Sequence, residues 1–526
     1  MLPVEELFQR LGQGSSWLHV TLMITSLFTF QFAHHIFVSR FVFSSKFAKV
    51  VLFFTEVFFL CLCPALVHTY WSYHIPYVIF GFICFGISLG LAVKPKFDPA
   101  SVKRPFQDVK NVVLMTTCMV ITAVDCPRLF DVRFMKTVQY GYSAMDVGTG
   151  LFIALRALHD ARPNKPPSFG KKIVGRTPNF VLFGVVGIAR SIFIAVSGYY
   201  QDMMEYGKHW NFFLTLLFVE IAIVFNKDYF SIWMSRISRF QIPNFSFIVG
   251  SAYVALLVMD PTIEQYLLGR EPERAGGFFD QNREGIASVF GYLFIYGTLY
   301  EHMKRICAPE IWQYDNHAVK VSSAIKNCAK LASNGGVYLV LLYICTQYYD
   351  IQPSRRVANL TYGFWMMSIA FQGAAMALFY HQLTADPRIL SEGQRPLLVQ
   401  TAIDHNGASV FLLANVLTGL SNYLRDPLNI YTEAKEFSLL SAYSVILSLA
   451  AYLLESGKTK SAAHKKHEPV VTSNFEEVLG YDEPGIFYED SDGKTSSSNS
   501  STPKKDAKPS SIPRRSTRKR VQKKYD

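Results

Sequence analysis

"ITAVDCPRLFDVRFMKTVQYGYSAMD" occupies residues 121–146. Its first residues are apolar enough to sit in a bilayer. Its middle is crowded with Asp, Arg and Lys. Its end turns apolar again, yet carries Asp146. Such a passage reads as the mouth of two membrane spans with charge gathered between them, and the same alternation extends in both directions. Half of the 526 residues are hydrophobic and only 17% are charged, where a soluble chain usually carries about 25%. Apolar runs of about 17–23 residues suit roughly 30 Å of hydrocarbon.

By run length there are about thirteen such spans. They cover approximately 16–38, 48–69, 75–93, 110–126, 138–158, 178–197, 210–226, 244–260, 285–303, 325–347, 359–380, 406–424 and 437–455. The expected fold is therefore all-α and polytopic, with a transmembrane domain over residues 1–455. The first span is no cleavable leader, because it lacks a basic start and small residues at its end. Residues 456–526 are rich in Ser, Lys and Pro and too poor in apolar groups to fold, so a disordered tail is expected. The eight cysteines contain no CxxC, so neither a disulfide framework nor a metal site is expected.

The net charge of +12 invites a nucleic-acid reading. The excess sits in alternate loops and in the tail, so no nucleic-acid partner is expected. One set of gaps holds about twenty basic residues and the other about twelve, which by the positive-inside rule puts the first set in the cytosol. The N-terminus is then lumenal and the C-terminus cytosolic. The basic tail end can lie on anionic lipid. Lys523-Lys524, near the chain end, resembles a dilysine signal read by the endoplasmic-reticulum retrieval machinery.

The candidate chemistry gathers on the lumenal face. Asp146 and Arg190 lie on consecutive spans, each roughly 10–12 Å deep at 1.5 Å per residue. Equal depth predicts a buried Asp146–Arg190 ion pair that holds helices together. Glu220 and Glu56 are further intramembrane carboxylates, and such groups usually face the bundle interior. Asp125 ends one apolar run and Lys136 nearly begins the next, so a short loop brings both to one mouth. A carboxylate there can act as general base and an ammonium can stabilise an oxyanion. His209, also at the start of a span, is a rival base. Asn359 opens a nominal glycosylation sequon at a membrane edge, where use is not expected.

"AVDCPRLFDVRFMKTVQYGYSAMDVGTG" (123–150) resembles a segment of the glycosylphosphatidylinositol (GPI) inositol acyltransferases, the GPI-anchored wall transfer protein family of fungi and the phosphatidylinositol-glycan class W proteins of animals. "YGKHWNFFLTL" (206–216), "NREGIASVFGY" (282–292), "SRRVANL" (354–360) and "FLLANVLTGLSN" (411–422) resemble later blocks in the same order. The resemblance implies an endoplasmic-reticulum membrane enzyme with no cofactor. It would move palmitoyl from its co-substrate acyl-CoA (palmitoyl-CoA) to the inositol 2-hydroxyl of glucosaminyl-phosphatidylinositol. It also implies that Asp125 and Lys136 are the catalytic pair. Arg133, Tyr140, Asp146, Arg190, Glu205, His209, Trp210, Asn211, Asn282 and Glu284 are expected to shape substrate binding. The alternative class is a multispan transporter or lipid scramblase, which predicts repeat symmetry that the sequence lacks.

Overall fold

The computed structural model describes residues 14–40, 45–92, 105–161, 181–192, 196, 203–226, 230, 243–269, 276–306, 321–384, 397–425, 428 and 430–464. The terminal tail and its dilysine pair lie outside them. The described residues are helical and connecting segments, with no strand beyond one isolated bridge between Ser15 and Tyr142. The helices are α1 Trp17–Arg40, α2 Lys46–Val67, α3 Ile75–Ala92, α4 Pro105–Ala123, α5 Ala144–Asp160, α6 Val181–Ile192, α7 Met203–Tyr206 and α8 Phe212–Phe225. They continue as α9 Phe245–Met259, α10 Pro261–Leu268, α11 Phe278–Gln281, α12 Arg283–Ile306, α13 Val321–Tyr348, α14 Leu360–Thr384, α15 Leu398–Arg425 and α16 Glu433–His464.

Each run read as a span overlaps a described helix, although 138–143 form a loop before α5 and the run 178–197 is described as a helix only over Val181–Ile192. Among the described residues, seven helices are long and apolar enough to cross a membrane, or eight if α9 and α10, bent by 97°, form one span. The others are shorter or more polar, because they carry groups that point inward: Asp108, Asp146, Glu220 and Glu284 are all buried. Helix α16 runs beyond residue 455, to His464.

Local chemistry sets the helix ends. The side chains of Ser45, Asn211 and Asn244 accept backbone N–H groups at the starts of α2, α8 and α9, satisfying donors that a helix start leaves open. Asp260 caps α10, with Pro261 in its first turn. Within α2 the turn Phe58–Leu62 widens to a π-helix just before Pro64, whose missing N–H interrupts the ladder.

One buried carboxylate acts as a cap between helices far apart in sequence. Glu56, in the middle of α2 and fully buried, accepts from the backbone N–H groups of Leu398 (2.7 Å), Val399 (2.7 Å) and Gln400 (2.9 Å). Three donors and the positive end of α15 partly offset the cost of burying its charge, and among the described residues no side-chain cation is paired with it. The aromatic core runs between α5, α12 and α14, where Tyr292, Tyr296, Tyr362 and Trp365 are among the largest fully buried side chains.

Candidate active site

The quoted stretch folds into the rim of one end of the bundle. Past α4 the chain turns at Asp125, makes a short 3-10 turn at Val132–Phe134 and enters α5 at Ala144. Asp125 is half-buried, and its carboxylate accepts from Asn422 Nδ2 of α15 at 2.8 Å. Burial pushes the Asp125 carboxyl above its ordinary range, and the Asn422 hydrogen bond with the nearby charges of Arg425 and Lys136 draws it partly back. Asp125 and Lys136 thus share one mouth electrostatically, but each has its own direct partner. The Lys136 ammonium pairs with Glu205 of α7.

From Lys136 the charges continue inward in alternation. Glu205 Oε1 lies 3.8 Å from Arg355 Nη2, and Arg355 Nε lies 2.8 Å from Asp146 Oδ1. Asp146 Oδ2 accepts from the Thr137 backbone N–H at 3.1 Å and the Thr137 hydroxyl at 2.7 Å. Burial acts to raise the Glu205 carboxyl, but Lys136 and Arg355 outweigh it and hold it down at about 2. The expected Asp146–Arg190 pair is corrected here. Asp146 is 1% exposed against an Arg355 that is 4% exposed, whereas Arg190 is exposed and within electrostatic reach of Glu205. Equal depth on consecutive helices does not make two side chains face one another.

Arg355 comes from a loop that turns back into the bundle. Residues 353–359 are all buried, and the loop is bounded by left-handed backbone at Asp350 (φ 52°) and Ala358 (φ 46°). That conformation costs a non-glycine residue free energy and persists only where the surroundings enforce it. Asn359 supplies much of the enforcement. Its Oδ1 accepts from Ser354 N (3.1 Å) and Tyr362 N (3.2 Å), and its Nδ2 donates to Glu264 Oε1 (2.9 Å) and Gln352 O (2.8 Å). Arg356 donates to Glu284 Oε1 at 2.6 Å and to Val138 O at 3.1 Å.

The remaining predicted site residues divide by exposure. Trp210, Asn211, Asn282 and Glu284 are buried frame residues. Asn282 Oδ1 accepts from His209 N (2.8 Å) and Trp210 N (3.0 Å). Asn211 Nδ2 donates to Gly187 O at 2.8 Å, tying α8 to α6. The packing of residues 206–210 against the start of α12 requires two glycines. Gly207 has φ +114°, and a Cβ there would meet Asn282 Cα at 2.5 Å; a Cβ on Gly285 would meet Trp210 Cδ1 at 2.3 Å. The side chains left at the surface or rim are His209, exposed, and Tyr140 and Arg133, both half-buried. Burial and Glu264 push the Tyr140 phenol up to about 12. Arg133 pairs with Asp131, lies over the Tyr73 ring at 4.0 Å and lines an open cleft with Tyr70 and Ser72.

Beneath this rim lies an apolar cavity of about 130 Å³ between α4, α5, α6, α8 and α15. Sequence reasoning missed Arg355, Arg356 and Asn422 as parts of the site. The available signal was the Arg pair placed just before an apolar helix, on the face where the charge rule expects few basic residues.

The fold defines a class: an all-helical polytopic membrane protein, here with a chain of charged side chains at one rim of the bundle. The GWT1 family model matches residues 4–454, and the chain belongs to that family. It is 30% identical to the GPI-anchored wall transfer protein 1 of Gibberella zeae over 389 residues, covering 69% of this chain and 74% of the relative. Against the protein of the same name from Schizosaccharomyces pombe it is 30% identical over 350 residues, covering 66% and 71%. The Saccharomyces cerevisiae relative of that name is 27% identical over 380 residues, covering 67% and 74%.

Proposed function

We propose that this chain is an acyltransferase of GPI-anchor assembly in the endoplasmic-reticulum membrane. It moves a long acyl group, palmitoyl, from coenzyme A to the inositol 2-hydroxyl of glucosaminyl-phosphatidylinositol. The observation that carries the reading is Asp125. It is a half-buried carboxylate above its ordinary pKa, held by Asn422 and flanked by Lys136, at the rim over an apolar cavity. Membership of the GWT1 family and relatives named for GPI anchoring support the pathway.

A hydroxyl is a poor nucleophile, and a thioester carbonyl gathers negative charge as it is attacked. Asp125 takes the proton of the inositol hydroxyl as the oxygen bonds to the carbonyl carbon. The Lys136 ammonium faces the developing oxyanion, and Glu205 fixes where that ammonium sits. The tetrahedral intermediate then expels the coenzyme A thiolate, which recovers the proton from Asp125. In this reading Arg133, on the adjacent cleft, and the exposed His209 and Arg190 meet the phosphate of the acceptor. The buried Asp146, Trp210, Asn211, Asn282 and Glu284 position the rim. The rim is the lumenal face in this reading, and the dilysine end returns the protein to the endoplasmic reticulum.

The test is transfer of radiolabelled palmitoyl from palmitoyl-CoA to glucosaminyl-phosphatidylinositol by the purified protein. Asp125→Ala removes a positioned base and loses about 10²–10⁴-fold in rate. Lys136→Met removes an oxyanion partner and loses about 10²–10³-fold. Wild-type rates in an equally abundant Asp125→Ala protein overturn the assignment of the base. Absence of transfer by a folded wild type overturns the reaction.

A further inference from the structure

Two covered polar atoms at the end of α15, beside Asp125, are unpartnered among the described residues. The Asn422 amide donates Nδ2–H to Asp125 Oδ2 at 2.8 Å, but its own Oδ1 accepts nothing. One turn later the Arg425 guanidinium has a single hydrogen-bond partner, the Cys126 sulfur 3.6 Å from Nη2, and its Nε–H donates to nothing. A thiol sulfur is a weak acceptor, so a group with five donors is nearly unspent. Covered polar atoms are rarely left this way, because each has lost its hydration without a replacement.

The place of these atoms points to what they bind. Residues three apart on a helix share a face, and Asn422, Arg425 and Asp125 are each only half-buried, so all three belong to the mouth. Of the two cations that draw the Asp125 carboxyl down, Arg425 acts more strongly than Lys136, and Lys136 is already committed to Glu205. The turn that carries Asp125 is held here by the fully buried Glu436 of α16, whose Oε2 accepts from the Arg128 N–H at 3.0 Å. A phosphate or carboxylate would satisfy the Arg425 Nε–H but repel the Asn422 oxygen. An ammonium would do the reverse. A hydroxyl satisfies both, since it donates one proton and accepts on its lone pairs. The other end of the Asn422 amide already holds Asp125, so a hydroxyl on Oδ1 sits beside the one that Asp125 receives. The ligand that fits is a vicinal diol.

We propose that Asn422 and Arg425 hold the inositol hydroxyl adjacent to the one acylated, and so fix which ring hydroxyl reaches Asp125. The inference rests on the acyltransferase reading above. The phosphate occupies one neighbour of the acylated carbon, so the hydroxyl held is the one on the other neighbour. Its O–H donates to Asn422 Oδ1, and its oxygen accepts from the Arg425 Nε–H. Neither contact involves the reacting atoms, so both side chains act toward the ring as positioning residues.

The experiment gives full-length wild type and Arg425→Met two acceptors, glucosaminyl-phosphatidylinositol and its 3-deoxy-inositol analogue, with palmitoyl-CoA as donor. The quantity read is the ratio of kcat/KM between the acceptors, so a lower yield of folded variant cancels. A site built to bond a hydroxyl rejects the analogue that lacks it, and wild type is expected to prefer the natural acceptor by about 10²-fold or more. Arg425→Met loses one of the two bonds, a charge-assisted one, and the preference is expected to fall about tenfold. A merely structural Arg425 lowers both rates together, and an unchanged ratio in the variant overturns the proposal. Equal rates of wild type with the two acceptors overturn it as well, without any variant having to fold. Failure of wild type with both acceptors overturns the acyltransferase reading instead. The hydroxyl contact is then judged by the calorimetric affinity of wild type for each acceptor in detergent: weaker binding of the deoxy analogue supports it, and equal binding overturns it.

Discussion

Replacing Arg355 by Met removes the cation from a carboxylate that is 1% exposed. Among the described residues, Asp146 then keeps the Thr137 N–H and hydroxyl as its side-chain donors. Breaking a buried pair from one side costs about 3–5 kcal/mol, because the other charge remains without compensation. At about 2 °C per kcal/mol, the value for large domains, the melting temperature falls by about 6–10 °C. Asp146→Asn is expected to cost a similar amount, since Arg355 then faces only Glu205, 3.8 Å away. The double variant loses less than the sum of the two, with a coupling of about 0.5–3 kcal/mol. Arg190→Ala, at an exposed position, stays within about 0.5 kcal/mol of wild type. The assay is a thermal ramp of detergent-purified protein followed by size-exclusion chromatography of the fraction still monodisperse. The reasoning is refuted if Arg190→Ala melts as early as Arg355→Met, or if the double variant is additive.

Asp125→Asn should behave in the opposite way. Burial disfavours the Asp125 carboxylate, so the amide relieves a cost, keeps an oxygen for Asn422 and leaves the melting temperature unchanged or higher while transfer is lost. The pH profile separates the two carboxylates. Asp125 titrates above its ordinary 3.8, so kcat/KM falls on acidification through that raised value. Its neighbouring cations hold the Glu205 carboxyl at about 2, down from an ordinary 4.5, so its ion pairs are complete above about 4.5 and are lost only as the pH falls from there toward 2. A melting temperature that drops in step with activity as the pH is lowered contradicts this order. Glu56→Ala leaves three backbone donors of α15 open and costs more than about 3 kcal/mol, whereas Glu56→Gln keeps an acceptor and costs less; equal melting temperatures for the two contradict the cap. Asn359 is 1% exposed and its amide is fully engaged, so endoglycosidase treatment is expected to leave the mobility of the protein unchanged.

The helices were legible in the sequence because hydrocarbon thickness dictates run length, and run length is a local property. That Asp125 and Lys136 share one mouth was legible because only a short loop joins their two apolar runs, and the blocks around Gly207 and Gly285 were legible only through their resemblance to a known family. Pairing was not legible. Lys136 meets Glu205, Asp125 meets Asn422, Asp146 meets Arg355 and Glu56 meets the start of α15, and in each case the partners are far apart in the chain. A depth argument chose Arg190 for Asp146 because it compared helices and ignored loops. The loop that wins reaches inward only because left-handed turns at Asp350 and Ala358 and the bonds of Asn359 force it there.

That inward loop bears on why the rim carries so much charge. Lys136 is held by Glu205, Glu205 is held from behind by Arg355, and Arg355 is held by Asp146. Each group is therefore compensated by the next, and only the outermost ammonium, 39% exposed, faces the mouth. An ammonium fixed by a single surface carboxylate would keep most of its rotameric freedom, since exposed pairs contribute little. Backing that carboxylate with a buried arginine removes the freedom without burying the lysine. A preorganised cation of this kind loses little to reorganisation as an oxyanion forms. In the proposed reaction Asp146 would therefore act on the rate through Lys136, as a positioning residue. Among Asp146→Asn molecules that remain folded, kcat should fall with little change in KM, whereas a purely structural role predicts normal kcat per folded molecule.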